Sequence, residues 1–400
     1  MLLRSATDTV RVVRGREKVL ELGRRLDELC VQCEQPGALD HLDYHFSLPG
    51  FARKRPTMVV VETTTGNGVR PVAAVLTYEY QVAGVGTGVY AADFKGGARA
   101  VVAPRSLRPR AVFAAADALL SQRGLLIQLS YVGEDSPSRL AQIAETPLRW
   151  ASRVRNSAGY MEIEPGVEAT FAHLGKRTRR NLRYYRRLAE TELGATLVVS
   201  PEITPEQFLE FNRATNYAVP DEQAAARFRS LKQNPAPLFL GLRSQQGEWL
   251  SLIGGYFKGP DAMVEWQLNR SDMAPYSLCT TMRAHLLEYV VGQNCRRTYF
   301  IGGTTHSMMN SMTHERIVDV VVSRPGVPAW LVNRIAAADP DLPRYEGPIA
   351  IGTRVYEHPA VRPQRNATWT GSRARLTSDD AVKLLQAGAL AHKNEDIAYR

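Results

Sequence analysis

Trp249-Leu-Ser-Leu-Ile-Gly-Gly-Tyr-Phe257, then Gly259-Pro260, then Ala262-Met-Val-Glu-Trp-Gln-Leu268 reads as strand, turn and strand. Upstream, Leu238-Phe-Leu-Gly-Leu-Arg243 is another short apolar run, joined through the turn residues Gln245-Gln-Gly247. Downstream, Leu278, Met282, Leu286, Leu287 and Val290 recur at helical spacing between about Tyr276 and Val291. Arg297-Thr-Tyr-Phe-Ile301 then reads as a closing strand before Gly302-Gly303. Tight turns force the first three strands to be antiparallel. A strand reached only through a helix is a parallel crossover. The segment therefore predicts a mixed sheet.

The first half repeats this order. Met58 to Thr63, Pro71 to Tyr80 and Gly88 to Asp93 read as strands, with Gly66-Asn67-Gly68 as a hairpin signal between the first two. A helix from about Arg110 to Arg123 carries Val112, Ala115, Ala116, Leu119 and Leu120 on one face, and Leu125 to Tyr131 is the closing strand. Gly84-Val-Gly-Thr-Gly88 reads as a turn between strands rather than a phosphate loop. The expectation is an α/β chain of two tandem units, each a mixed, mostly antiparallel sheet flanked by helices. The units are drawn as 1–165 and 166–330, with an extension over 331–400. Thr204 to Tyr217 and Asp221 to Gln233 are further helices of the second unit. Pro328 to Ala338 and Thr377 to Leu390 read as helices of the tail, with Pro340 to Pro363 proline-rich between them.

Between the halves lies Leu174-Gly-Lys-Arg-Thr-Arg-Arg-Asn-Leu-Arg-Tyr-Tyr-Arg-Arg-Leu188. From Lys176 to Arg187, seven of twelve residues are basic and none is acidic, in a chain whose formal net charge is +10. Like charges at this density repel one another along a helix, so an anionic partner inside or outside the fold is expected. Phe171, Leu174, Thr178, Leu182 and Tyr185 mark one face of a helix over 171–193, which Gly194 would end. Arginine outnumbers lysine in the run, and guanidinium groups suit bidentate contact with phosphate or carboxylate. A solvated surface face is the alternative.

The apolar and charged fractions, 44% and 22%, are those of a globular chain. No apolar run has the ~18 residues of a membrane span, and Met1 to Val13 lacks the apolar core of a signal peptide. The expected location is the cytoplasm. Cys30 and Cys33, followed by His41 and His45, have the composition of a zinc site at a spacing too short for a zinc finger, so buried thiols and no metal are expected.

Positions 174 to 183, taken with the Tyr276–Gly303 pattern, resemble a GNAT-type N-acyltransferase family that includes CelD-type cellulose-biosynthesis proteins and is related to the Fem peptidyltransferases. The resemblance is best over Phe171 to Gly303. It implies transfer of an acyl group from acyl-CoA, such as acetyl-CoA, to a small-molecule or sugar-linked amine, in polysaccharide, cell-envelope or small-metabolite biosynthesis. It also implies that two central strands splay and that the pyrophosphate meets the N-terminus of the following helix, where free N–H groups and the helix dipole favour an anion. Arg270, Ser277 and Thr280 are then cofactor-binding candidates, with a backbone N–H near Gln267 or Leu268 as oxyanion donor. Lys176, Arg179, Arg180, Asn181 and Arg183 are candidates for binding an anion. The chain departs from the family pattern in having no glycine between Arg270 and Thr281 and no acidic residue before Gly302-Gly303. Met308-Met309 stands where a lysine is common.

An amine nucleophile needs a base within hydrogen-bond reach. Glu265 and His306 are the candidates, with His314-Glu315 a weaker pair. Strand alternation places Glu265 and Gln267 on one face, and Trp266 and Leu268 on the other. Tyr256 or Tyr299 could protonate the leaving thiolate. Two other functions are open at this point: an aminoacyl-tRNA-dependent, Fem-like transferase whose basic helix contacts tRNA, and a non-catalytic module that binds nucleic acid or another anion.

Overall fold

In the computed structural model the described residues are 8–48, 51–66, 68–92, 100–133, 135, 137–144, 148–301, 306–327, 349–351 and 354–356. The expected tail helices, most of the proline-rich stretch and Gly302-Gly303 lie outside them. The chain forms two compact units. One takes it up to Asn156 and again from Arg316 onward, and the other runs from Ser157 to Glu315.

The first unit opens with β1 (Asp8–Arg14), then α1 (Arg16–Arg25), α2 (Asp27–Gln32) and α3 (Leu42–Ser47). The chain continues through β2 (Lys54–Thr65), β3 (Gly68–Val82), β4 (Val85–Ala91), β5 (Val101–Val102), α4 (Arg108–Ser121) and β6 (Leu126–Val132). β2, β3 and β4 form an antiparallel meander, and β6 pairs with β4 in parallel after the α4 crossover. The expected order is therefore present. Gly84 belongs to a tight turn with Ala83, both at positive φ. Gly86 and Gly88 lie within β4 rather than in a turn, because the hairpin is shorter than the glycine run suggests. Cys30 and Cys33 are buried in this unit's core. Burial pushes the Cys30 thiol up to about 12, as suits an inert structural thiol.

α5 (Pro137–Ile143) and β7 (Arg149–Glu162) follow, and from Ser157 the residues of β7 belong to the second unit. That unit continues with α6 (Val167–Ala172), α7 (Lys176–Leu193), β8 (Thr196–Val199), α8 (Pro205–Arg213) and α9 (Asp221–Gln233). Next come β9 (Pro237–Arg243), β10 (Trp249–Lys258), β11 (Asp261–Asn269), α10 (Leu278–Gly292) and β12 (Arg297–Phe300), and β13 (Thr313–Ser323) then returns the chain to the first unit from Arg316. The second unit's strand order is β7-β12-β11-β10-β9-β8, with β9, β10 and β11 antiparallel and β12 parallel to β11. The expected single basic helix is two helices, since the chain turns at His173–Gly175 before α7 begins. Phe171 and Leu174 still pack with Leu182 in the same core. Gly194 ends α7 in the left-handed region at φ 56°, a conformation that favours glycine.

Two cores flank this sheet. On one face α7 and α10 cover Leu238, Leu240, Leu242, Ala262 and Val264. On the other, Phe208 of α8 and Phe228 of α9 stack at 4.9 Å and meet Phe239, Trp266 and Leu268. α8 begins with a full capping box: Thr204 accepts from the Gln207 N–H, and the Gln207 side chain accepts from the Thr204 N–H.

Candidate functional site

The site begins with one irregularity in β11. Gly254 pairs with Trp266 but Gly255 pairs with Val264, so Glu265 is an extra residue in the ladder. The bulge reverses the alternation. Ala262 and Val264 face the α10 core, whereas Trp266 and Leu268 face the α8–α9 core. The glycines make it fit. A Cβ on Gly255 would lie 1.9 Å from the Met263 carbonyl oxygen, and one on Gly254 would lie 1.9 Å from the Trp266 ring. Glu265 and Gln267 consequently do not share a face as simple alternation requires. Glu265 interacts with Arg227 of α9, while Gln267 reaches α10. Burial pushes the Glu265 carboxyl above its ordinary value, partly opposed by the Arg227 charge.

β11 and β12 pair only over Asp261–Val264 and Arg297–Phe300, and the Ile301 N–H donates to the Val264 carbonyl at 2.8 Å. Beyond that point β11 runs on to Asn269 with no partner on this edge among the described residues. The Arg270 N–H donates toward β10, to the Leu250 carbonyl at 3.0 Å. Because direction alternates along a strand, the Leu268 N–H also points to β10 and the Gln267 N–H points into the opening. The Leu268 side chain is buried in the α8–α9 core.

The Gln267 side chain ties β11 to the start of α10. Its Nε2 donates to the Cys279 carbonyl at 3.3 Å, and its Oε1 accepts from Arg283 Nε at 3.2 Å. The buried Arg283 guanidinium also sits over Phe300 at 5.1 Å. A 3₁₀ turn, Ala274–Tyr276, carries Pro275 and precedes α10, so the helix starts two residues later than the periodicity suggests. Ser277 between them is left-handed (φ 42°, ψ 56°), the conformation a glycine would supply. The N–H groups of Leu278 and Cys279 have no acceptor among the described residues. Ser277 Oγ and Thr280 Oγ1 are 2.9 Å apart, and Thr280 Oγ1 is 3.0 Å from His306 Nε2.

His306 Nδ1 accepts from the Met308 N–H at 3.2 Å, which leaves the proton on Nε2 facing Thr280. Burial, and then the Arg283 charge, push its pKa down to about 4. His306 is thus a neutral donor that braces α10. Tyr299 is buried, donates to Glu315 Oε1 at 3.2 Å, and accepts from Arg297 Nη1 at 3.4 Å. Its pairing with Met263 puts it on the Arg227 side of the sheet, the face opposite Phe300. Arg270 is engaged by Asp272 and, at 2.9 Å, by Glu248, which turns the Asp272 charge onto a guanidinium.

On α7, Arg179 donates to the Ala172 carbonyl, Arg183 pairs with Glu168, and Arg186 pairs with Glu190 and Glu288. Asn181 is half-buried. Lys176, Arg177, Arg180 and Arg187 are exposed and have no ion pair among the described residues. Sequence reasoning missed Gln267 as a side-chain bridge, Arg283, Arg227 and the bulge. Only the bulge left a signal, the Gly254-Gly255 pair inside a strand.

A helix N-terminus with two open N–H groups, a hydroxyl pair beside it and a strand N–H facing the opening can receive an anionic group and a carbonyl oxygen through neutral donors. No family model matches this chain, and no curated protein matches its sequence. Solved structures do match. FemX aligns with a TM-score of 0.50 at 10% identity, over 74% of this chain and 95% of that one. A tandem GNAT protein from the clavulanic acid biosynthesis pathway aligns at 0.43 and 13%, over 80% and 100%. The L-PGS of Bacillus licheniformis aligns at 0.41 and 14%, over 76% and 91%. These neighbours are GNAT-fold transferases, and the likeness at such identities is one of fold. No helix among the described residues is long and apolar enough to cross a membrane.

Proposed function

We propose that the second unit transfers an acyl group from acyl-CoA to an amine. The observation that carries this reading is the opening beside β11. It presents the Gln267 N–H and the α10 N-terminus on one edge, with Glu265 displaced by the bulge toward Arg227. The amine nitrogen attacks the thioester carbonyl carbon, the new N–C bond forms and the C–S bond breaks. Glu265, with its raised affinity for a proton, takes the proton from the amine. Tyr299, held between Glu315 and Arg297, is the proton donor to the departing thiolate. The Gln267 N–H stabilises the oxyanion. Ser277, Thr280 and the Leu278 and Cys279 N–H groups receive the cofactor phosphates, and His306 holds Thr280 for that purpose. Calorimetry with acetyl-CoA and with palmitoyl-CoA tests the reading. Saturable binding of either, weakened at least tenfold by Thr280→Val, is expected, and no binding of either overturns it.

The exposed face of α7 favours a second reading, in which the donor is an aminoacyl-tRNA. Lys176, Arg177, Arg180 and Arg187 would contact phosphates, so binding would weaken steeply with salt. Tight tRNA binding that is indifferent to salt, or no binding at low salt, removes it. Salt-sensitive binding of nucleic acid with no acyl transfer from either donor leaves only a binding module.

A further inference from the structure

Arg283 lies on α10 between Met282 and Ala284, which are both buried in the apolar core over the sheet, as are Leu286 and Leu287 further along the helix. Arg283 is itself only 5% exposed. Taking a guanidinium out of water is costly even where partners offset part of the loss, and burial pulls its pKa below the ordinary value. A methionine would fill this position of the helix without that cost. A cation among these apolar side chains therefore calls for a use beyond packing.

The use follows from where the side chain ends. β11 and β12 are paired as far as Val264 and Phe300, and the Ile301 N–H to the Val264 carbonyl is the last link between them among the described residues. Phe300 is thus the last paired residue of β12, and Gln267 stands just past the last paired residue of β11. Arg283 meets both. Its Nε donates to Gln267 Oε1 at 3.2 Å, and its guanidinium lies over the Phe300 ring at 5.1 Å. One side chain of α10 so spans the point where the two strands part. The Gln267 carboxamide is fixed at both ends, because its Nε2 donates to the Cys279 carbonyl at 3.3 Å while Oε1 is held by Arg283. A carboxamide anchored in this way restrains the peptide that carries it, and the N–H of that peptide is the one facing the opening.

We infer that Arg283 is a positioning residue for the transfer step: it ties Gln267 to α10 and bears on Phe300, so that β11 and β12 stay parted and the Gln267 N–H stays aimed at the donor carbonyl. The inference rests on the acyl-transfer reading and deepens it by naming the group that sets the oxyanion donor. A donor aimed in advance needs no reorganisation when charge develops on the carbonyl oxygen, and a loose one does.

The test uses the full chain and acetyl-CoA labelled at its carbonyl carbon, with isotope-edited infrared spectra of the bound donor. In the wild type the bound C=O stretch should fall below that of free acetyl-CoA, because the Gln267 N–H polarises the bond. Arg283→Met should lose most of that shift. It should keep the acetyl-CoA Kd within about threefold of wild type, since the groups at the α10 N-terminus are untouched, and it should melt at or above the wild-type temperature. Gln267→Met removes the same link from the other side and should lose the shift as well. The double variant should lose no more than either single one, because residues acting through one contact are not additive. A shift that survives in Arg283→Met, or a double variant that loses clearly more than either single one, overturns the inference while the acyltransferase reading stands. So does an Arg283→Met protein that loses shift, affinity and melting temperature together, which marks a structural arginine. A bound donor with an unshifted carbonyl in the wild type removes the oxyanion donor, and the inference with it, and leaves donor binding in place. Acetyl-CoA binding absent from the wild type overturns both.

Discussion

Glu265 is where the geometry and the chemistry meet. Its raised pKa means that the folded protein holds the proton more tightly than the unfolded chain does. Its contribution to stability is then fullest below the unfolded value of ~4.3, and it is lost as pH rises through the raised folded value. Glu265→Gln keeps the position neutral. It should melt at or above wild type at pH 7 to 8, while acyl transfer falls by roughly 10²- to 10⁴-fold. Melting curves and initial rates on the same preparation check this, and a lower melting temperature with an unchanged rate would identify a structural carboxylate. His306 has the opposite sign. Its pKa is pushed down to about 4, so the unfolded chain takes up the proton first as pH drops below ~6.5. Stability should be full above that value and decline toward pH 4. In His306→Asn this part of the decline should be absent when melting temperature is followed across pH 4 to 7.

At the scale of elements, the bulge in β11 depends on two glycines of the neighbouring strand. Gly255→Ala forces a methyl group against the Met263 carbonyl. It should cost about 1–3 kcal/mol, the range for overpacking, and should lower activity further by moving Glu265. Urea denaturation together with rates separates the two effects. The basic helix divides in a similar way. Arg186 bridges Glu190 and Glu288 between α7 and α10, whereas Arg180 has no such partner. Arg186→Gln should therefore lower the melting temperature, and Arg180→Gln should leave it unchanged while weakening the binding of any polyanion. Equal melting temperatures would show that the Arg186 pairs add nothing to stability, as many exposed pairs do.

For the whole chain, the first unit is discontinuous. Val318, Val320, Val321 and Val322 of β13 are buried in its core and pair with β6, nearly two hundred positions earlier in the chain. Ending the chain after Glu315 removes those side chains and uncovers the edge of Leu126–Val132. The shortened protein should be digested readily by trypsin within residues 8–156 while residues 157–315 resist. Uniform resistance would mean that β13 is dispensable to the first unit.

Local pattern determined the elements with strong periodicity. The helix at Asp221–Gln233, the three-strand meander before α10, the crossover to β12 and the repetition of that order in the first unit all follow from apolar spacing and turn residues, which act between near neighbours. β7 escaped because Arg149–Glu162 carries arginines, serines and an asparagine without alternation, and its strand character comes from partners distant in sequence. The site was readable only in part. Glu265, Gln267, Thr280 and His306 could be named from residue type and position. Their roles could not be assigned, because a single inserted residue opposite Gly254-Gly255 reverses which face each side chain meets. That reversal, the neutral state of His306 beside Arg283, and the placing of Arg283 between Gln267 and Phe300 depend on contacts between separate elements. Tertiary structure alone decided them, since burial and through-space charge have no counterpart in local sequence.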